Sequence, residues 1–207
     1  MNHQRTAVFA ALVTLLPLAA QADAPAFYGG TAGSVTFDDQ LSHSGNTFEA
    51  YIGAELNGFY AEAWMGSLSD PVDDFEFELS AGYGADLNDS LSYALWATGF
   101  YLNNSGYQNY ELAAGLYYAA SDSLELGTEL AWDPATDDLN KAVLFSWGAS
   151  DRITVEGELG HSDANSETYW ELAALYDLGK GFGTGLLYED TNTGAGQVSL
   201  ILSWDIE

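Results

Sequence analysis

From residue 26 onward the chain repeats one pattern: short segments in which apolar and polar residues alternate strictly, separated by gaps that are alternately long and short. In Tyr110-Glu-Leu-Ala-Ala-Gly-Leu-Tyr-Tyr118, one face holds Tyr110, Leu112, Ala114, Leu116 and Tyr118, and the other holds Glu111, Ala113, Gly115 and Tyr117. Successive Cβ atoms of a strand point to opposite sides, so a period of two marks a β-strand between two unlike surroundings. A strand crosses the hydrocarbon of a bilayer in about 9–11 residues at the usual tilt. Segments of that length, about a dozen of them, predict an all-β fold: a single antiparallel transmembrane β-barrel of about twelve strands.

The periodicity predicts strands near Ala26–Phe37, Thr47–Leu56, Phe59–Ser67, Phe75–Ala85, Leu91–Tyr101 and Tyr110–Ala119. Six more follow near Leu124–Trp132, Lys141–Trp147, Ile153–Gly160, Thr168–Tyr176, Phe182–Tyr188 and Gln197–Ile206. Connections after even-numbered strands are short. Asn57-Gly58 between two alternating runs is a strong hairpin signal, because both residues accept positive φ. Connections after odd-numbered strands are longer and acidic, as in Ser69-Asp-Pro-Val-Asp-Asp74 and Asp133-Pro-Ala-Thr-Asp-Asp-Leu-Asn140. Short periplasmic turns, longer extracellular loops and an even strand count are the arrangement of outer-membrane barrels. A soluble sandwich has no reason to sort its loops by parity.

The apolar faces are consistent, for example Phe48, Ala50, Ile52, Ala54 and Leu56, or Val198, Leu200, Leu202, Trp204 and Ile206. Aromatic residues sit near the ends of such rows at Tyr110, Tyr118, Trp132, Trp170, Tyr176, Tyr188 and Trp204, as lipid-interface girdles would. The opposite faces carry Glu49, Glu55, Glu62, Glu76, Glu78, Glu111, Glu125, Glu129, Glu156, Glu158 and Glu171. Glutamate is depleted in strands, so this many in one phase require an environment that accepts them. Between them lie small residues such as Gly53, Ser80, Gly82, Gly115, Gly127, Gly183 and Gly185. Small residues and carboxylates together imply water, since an unpaired buried carboxylate is prohibitively costly. The expected pore lining is Glu49, Glu62, Glu76, Glu78, Glu111, Glu129, Glu156, Glu158 and Glu171.

Residues 1–22 read as a cleaved signal peptide: Arg5, an apolar run from Thr6 to Ala20, and a small-x-small site at Ala20-Gln21-Ala22. The barrel is then 23–207, and the expected location is the outer membrane of a Gram-negative cell after Sec-type export. Processing removes Arg5 and leaves Lys141, Arg152 and Lys180 against 31 acidic residues, a formal charge of −28 where the full chain has −27. Such a polyanion does not seek nucleic acid. Its rich aromatic content argues against disorder. Cysteine is absent, so no disulfide is expected.

Catalytic signals are missing. His43 and His161 fall in expected external loops, no Gly-x-Ser-x-Gly elbow occurs, and nothing has zinc-ligand spacing. Gly181-Phe-Gly-Thr-Gly185 resembles a nucleotide loop only superficially, because no helix follows it. Asp163-Ala-Asn-Ser-Glu167 and Asp190-Thr-Asn-Thr-Gly194 are fragments of a calcium-loop spacing without the full pattern. No enzyme activity and no cofactor are expected; weak Ca²⁺ or Mg²⁺ contact at the acidic loops, beside lipopolysaccharide, is left open.

The stretch Phe48–Tyr118 resembles the TorF family of porins, on Asp74-Phe-Glu-Phe-Glu-Leu-Ser-Ala-Gly-Tyr-Gly84, Leu91-Ser-Tyr93, the strand ending Gly99-Phe-Tyr101, and Tyr110–Tyr118. Two features depart from that pattern: Phe27–Phe37 carries no basic residue, and Tyr101-Leu-Asn-Asn104 stands where the family has Tyr-Pro-Gly. The resemblance implies an outer-membrane porin for passive diffusion of small solutes. Expected partners are outer-membrane lipid and lipopolysaccharide, the barrel-assembly machinery, and small solutes or cations. Glutamates lining a bore favour cations and repel anions. Two alternatives stay open: a closed structural or adhesive barrel blocked by Tyr51, Tyr60, Trp64, Trp96, Phe100 and Tyr117, and a soluble acidic β-sandwich.

Overall fold

The computed structural model describes residues 24–206. The expected signal peptide, residues 1–22, lies outside them. Twelve strands follow one another: β1 Ala26–Phe37, β2 His43–Leu56, β3 Phe59–Ser67, β4 Phe75–Asn88, β5 Leu91–Leu102 and β6 Gly106–Ser121. They continue as β7 Leu124–Asp133, β8 Asp138–Ser150, β9 Ile153–Ser162, β10 Glu167–Gly179, β11 Phe182–Thr191 and β12 Gln197–Ile206. Each strand pairs antiparallel with its sequence neighbours, and β12 pairs with β1 from Gly29↔Ile206 to Phe37↔Val198. That last pairing closes the sheet, so no edge strand is left unpaired. Closure also excludes the open sandwich.

All turns at one end are two residues long: Asn57-Gly58, Asp89-Ser90, Asp122-Ser123, Asp151-Arg152 and Lys180-Gly181. Asn57 and Gly58 both take positive φ (54° and 82°), as do Lys180 and Gly181 (60° and 77°). This is the primed hairpin geometry, whose twist matches that of the flanking strands. Longer connections gather at the other end, where side chains tie them together. The buried Asp73 carboxylate accepts hydrogen bonds from the backbone N–H groups of Asn104 and Ser105 and from Ser105 Oγ. Asn103 Oδ1 accepts from the N–H groups of Asp74 and Phe75.

Several strands run further into the loops than periodicity predicts. The expected loop 133–140 shrinks to 134–137, because Asp133↔Asp138 and Trp132↔Leu139 still pair across it. Pairing also takes in both histidines expected in loops. His43 opens β2, and His161 lies within β9, with its Nδ1 3.0 Å from Thr168 Oγ1 on β10. Ladder hydrogen bonds continue past the last apolar residue, so the hydrophobic pattern alone underestimates strand length.

The two faces sort as the alternation requires. Ile52, Phe59, Leu79, Leu95, Val143, Leu159, Leu186, Leu200 and Leu202 are exposed on the outer wall. Tyr110, Trp132, Trp147, Trp170, Tyr176 and Trp204 are exposed on the same wall. A water-soluble chain could not sustain apolar exposure on this scale around its whole circumference. The buried residues, among them Trp64, Ala94, Thr98, Ala113, Glu156, Ala173, Leu187 and Ser199, belong to the opposite phase and face inward.

Candidate functional site

The candidate site is the inner wall. Directly paired residues in an antiparallel ladder point to the same face, so the register assigns every side chain. Glu49 is opposite Gly66, Glu62 opposite Gly53 and Ser80, and Glu76 opposite Gly66 and Leu102. Glu78 is opposite Trp64 and Phe100, Glu111 opposite Thr98, and Glu129 opposite Gly115 and Ala142. Glu156 is opposite Ser146 and Ala173, and Glu158 opposite Leu144 and Glu171. All nine glutamates expected in the lining stand in the inward phase, and small residues opposite many of them leave them room.

The glutamates do not form one ring. Glu49 and Glu62 belong to a group on β1–β3, where Trp64 Nε1 donates to Glu49 Oε2 at 3.2 Å and the Tyr28 hydroxyl bonds Glu62. Glu76 and Glu78 lie on β4 towards the loop end, and Glu111 lies on β6. Glu129, Glu156, Glu158 and Glu171 form a second group on β7–β10. Tyr117 Oη donates to Glu129 Oε1 at 2.5 Å, and Tyr169 Oη donates to Glu158 Oε1 at 2.6 Å. Glu129 also lies within electrostatic reach of Tyr60 on β3, Glu158 on β9 and Tyr169 on β10. Side chains from widely separated strands therefore converge on one part of the lumen.

One inward glutamate escapes the periodicity argument. Glu189 stands opposite Glu171 and beside Gln197. The alternation suggests that β11 ends at Tyr188, whereas pairing carries it on to Thr191. The signal that would have found Glu189 is phase: it lies an even number of residues from Gly183, Gly185 and Leu187. Along one row, Glu158, Glu171 and Glu189 are directly side by side across β9, β10 and β11.

Cations are placed away from this wall. Lys141 is in the outward phase near the loop end and pairs with Asp163 at 3.1 Å. Arg152 and Lys180 occupy tight turns at the opposite end. Hydroxyl pairs line another arc of the interior, with Thr36 Oγ1 2.8 Å from Ser199 Oγ and Ser34 Oγ 2.6 Å from Thr47 Oγ1. Among the described residues, no group of three or more His, Asp or Glu side chains is arranged to hold a metal ion.

Comparison with known proteins bears on the fold. The KdgM porin superposes with a TM-score of 0.72 over 86% of this chain and 99% of its own, at 12% identity. The NanC porin gives 0.63, covering 85% and 98% at 12% identity. A variant of the Rh. blastica porin gives 0.54, covering 88% and 100% at 10% identity. No family model matches the chain, and no curated protein matches its sequence. The class is thus a twelve-stranded barrel of porin architecture.

Proposed function

We propose that this protein is an outer-membrane diffusion channel for small solutes that prefers cations. The observation that carries the reading is a closed barrel with an apolar outer wall and glutamates around its inner wall, where no cationic side chain neutralises them among the described residues. Carboxylates concentrated in a narrow bore raise the local concentration of cations and lower that of anions. The KdgM porin is also described in complex with an oligogalacturonate, a polyanion. The glutamates here carry the same negative sign as that ligand, so a shared architecture would serve a different solute. Sec-type export, assembly by the barrel machinery and contact with lipopolysaccharide belong to the same proposal, as does kinship with the TorF porins. The pore residues proposed are Glu49, Glu62, Glu76, Glu78, Glu111, Glu129, Glu156, Glu158 and Glu171, joined by Glu189.

The test is single-channel current in a planar bilayer under a KCl gradient. The expected result is a cation-selective reversal potential that weakens at high salt, as screening shortens the reach of the field. Replacing Glu111 and Glu129 with Gln should reduce it. Equal permeation of K⁺ and Cl⁻ at low salt overturns the cation preference. A second reading is favoured by the inward aromatics Tyr51, Tyr60, Trp64, Trp96, Phe100 and Tyr117, since small barrels fill themselves with side chains. Protein that inserts and stays silent would establish that closed barrel.

A further inference from the structure

Towards the short-turn end, the inner wall of β1–β4 pairs tyrosine with glycine. Tyr28 stands opposite Gly53, Tyr51 opposite Gly30, and Tyr60 opposite Gly82. Each ring leans over its glycine. A Cβ on Gly53 would collide with Tyr28 Cζ and Oη, one on Gly30 would lie 2.8 Å from Tyr51 Cε1, and one on Gly82 2.6 Å from Tyr60 Cε1. Glycine inside a strand weakens it and marks a place that another group approaches closely. Two of the hydroxyls are engaged on the wall itself: Tyr28 bonds Glu62, and Tyr51 Oη donates to Asp205 Oδ1 at 2.8 Å. Gly30 and Gly53 are buried, whereas all three tyrosines are only half-buried, so part of each ring stays open to the lumen.

These open ring faces narrow the ligand. Tyr28 and Tyr51 have centroids 6.4 Å apart and planes tilted by 48°. A cation seated over both lies within the roughly 6 Å of each centroid at which a π face attracts it. A phenol that donates to a carboxylate gains electron density in its ring, which strengthens that attraction. Glu62, two residues from Tyr60 on β3, sets a negative charge beside the rings. With the Tyr28 and Tyr51 hydroxyls already engaged, the ring faces are the free recognition surface, and they need no N–H from the ligand. A cation clad in methyl groups meets that surface best, because it also gives up the least hydration on leaving bulk water.

We propose that Tyr28, Tyr51 and Tyr60, with Glu62, form a receptor for quaternary ammonium solutes, which the channel admits in preference to other organic cations. The proposal rests on the channel reading above and names its substrate class. The methylated head would rest on the faces of Tyr28 and Tyr51, with Glu62 and the ring of Tyr60 alongside.

The test compares choline with ethanolamine, which has the same chain without the methyl groups, on the full-length refolded protein. In planar bilayers, millimolar choline should produce transient, voltage-dependent interruptions of the K⁺ current, with a blocking constant about fivefold or more below that of ethanolamine. This comparison needs no variant, and equal block by the two amines overturns the receptor. The double variant Tyr28→Leu, Tyr51→Leu should raise the choline constant about tenfold, from the loss of two ring faces. Tyr28→Phe with Tyr51→Phe keeps both faces and should hold the constant within about threefold. Heat-dependent gel mobility checks that each variant still folds. A choline constant unchanged in the folded leucine variant, or raised as far by phenylalanine as by leucine, overturns the ring-face account. A silent barrel refutes the channel reading alone. Saturation-transfer NMR on the choline methyl protons in detergent then decides the receptor separately: transfer that is lost in the leucine variant upholds it, and absence of transfer overturns it.

Discussion

The hydrogen bond between Tyr117 and Glu129 offers a direct test of whether the lumen is wet. Tyr117 Oη donates to Glu129 Oε1 at 2.5 Å, and the Tyr117 ring lies over Gly115 and Gly127. Tyr117→Phe keeps the ring against both glycines and removes only the donor. A hydrogen bond to a charged group contributes about 1.5–3 kcal/mol when nothing replaces the lost partner. In a hydrated lumen, water takes over the vacated position on Glu129, so the net loss falls to about 1 kcal/mol. Glu129→Ala removes the acceptor together with its repulsion from Glu158, and should cost less than Tyr117→Phe or slightly stabilise the barrel. The two single variants and the double variant form a cycle, whose coupling energy isolates the pair. We expect a coupling of about 1 kcal/mol, read from reversible urea unfolding in lipid vesicles followed by tryptophan fluorescence. A coupling indistinguishable from zero would refute the hydrogen bond itself. A value above about 3 kcal/mol would refute the wet lumen, because only a dry interior leaves Glu129 that badly unsatisfied.

Two further outcomes follow from the wall and the turns. Leu186, at the middle of β11 and 51% exposed on the outer face, should tolerate arginine poorly: Leu186→Arg is expected to cost about 2–4 kcal/mol in the same unfolding assay, and a neutral effect would contradict lipid contact there. Gly181→Val should slow or block formation of the heat-stable folded band on gels, because φ is +77° there and a Cβ would sit 2.2 Å from the Asp205 carbonyl oxygen; refolding at the rate of the parent chain would refute this account of the turn.

Strand identity and facing were readable because the barrel wall has two unlike faces. An apolar outer face and an inner face of small residues and carboxylates impose a strict period of two, and residues such as Leu200, Leu202 and Trp204 announce the outer face without any tertiary information. Turn chemistry was equally local at Asn57-Gly58, where both residues must take positive φ. The ends of strands were less legible. His43, His161 and Glu189 entered strands because backbone pairing persists where the apolar pattern has faded, and backbone hydrogen bonds leave no mark on side-chain composition. The pairing of Tyr117 with Glu129 and of Tyr169 with Glu158 was likewise invisible, since tyrosine at an inward position predicts only bulk.

By itself the sequence determined a chain of about a dozen amphipathic strands, sorted turns, a carboxylate-rich face and almost no cations to neutralise it. Each of these is a local property, set by periodicity, φ preference or charge. Only the tertiary structure decided that β12 returns to β1 and that Glu158, Glu171 and Glu189 stand in one row. It also placed Glu129 within reach of Tyr60 from four strands away. Those outcomes depend on the register between strands and on the curvature of the closed wall. Both arise from contacts between residues distant in the chain, which no pattern along a single strand encodes.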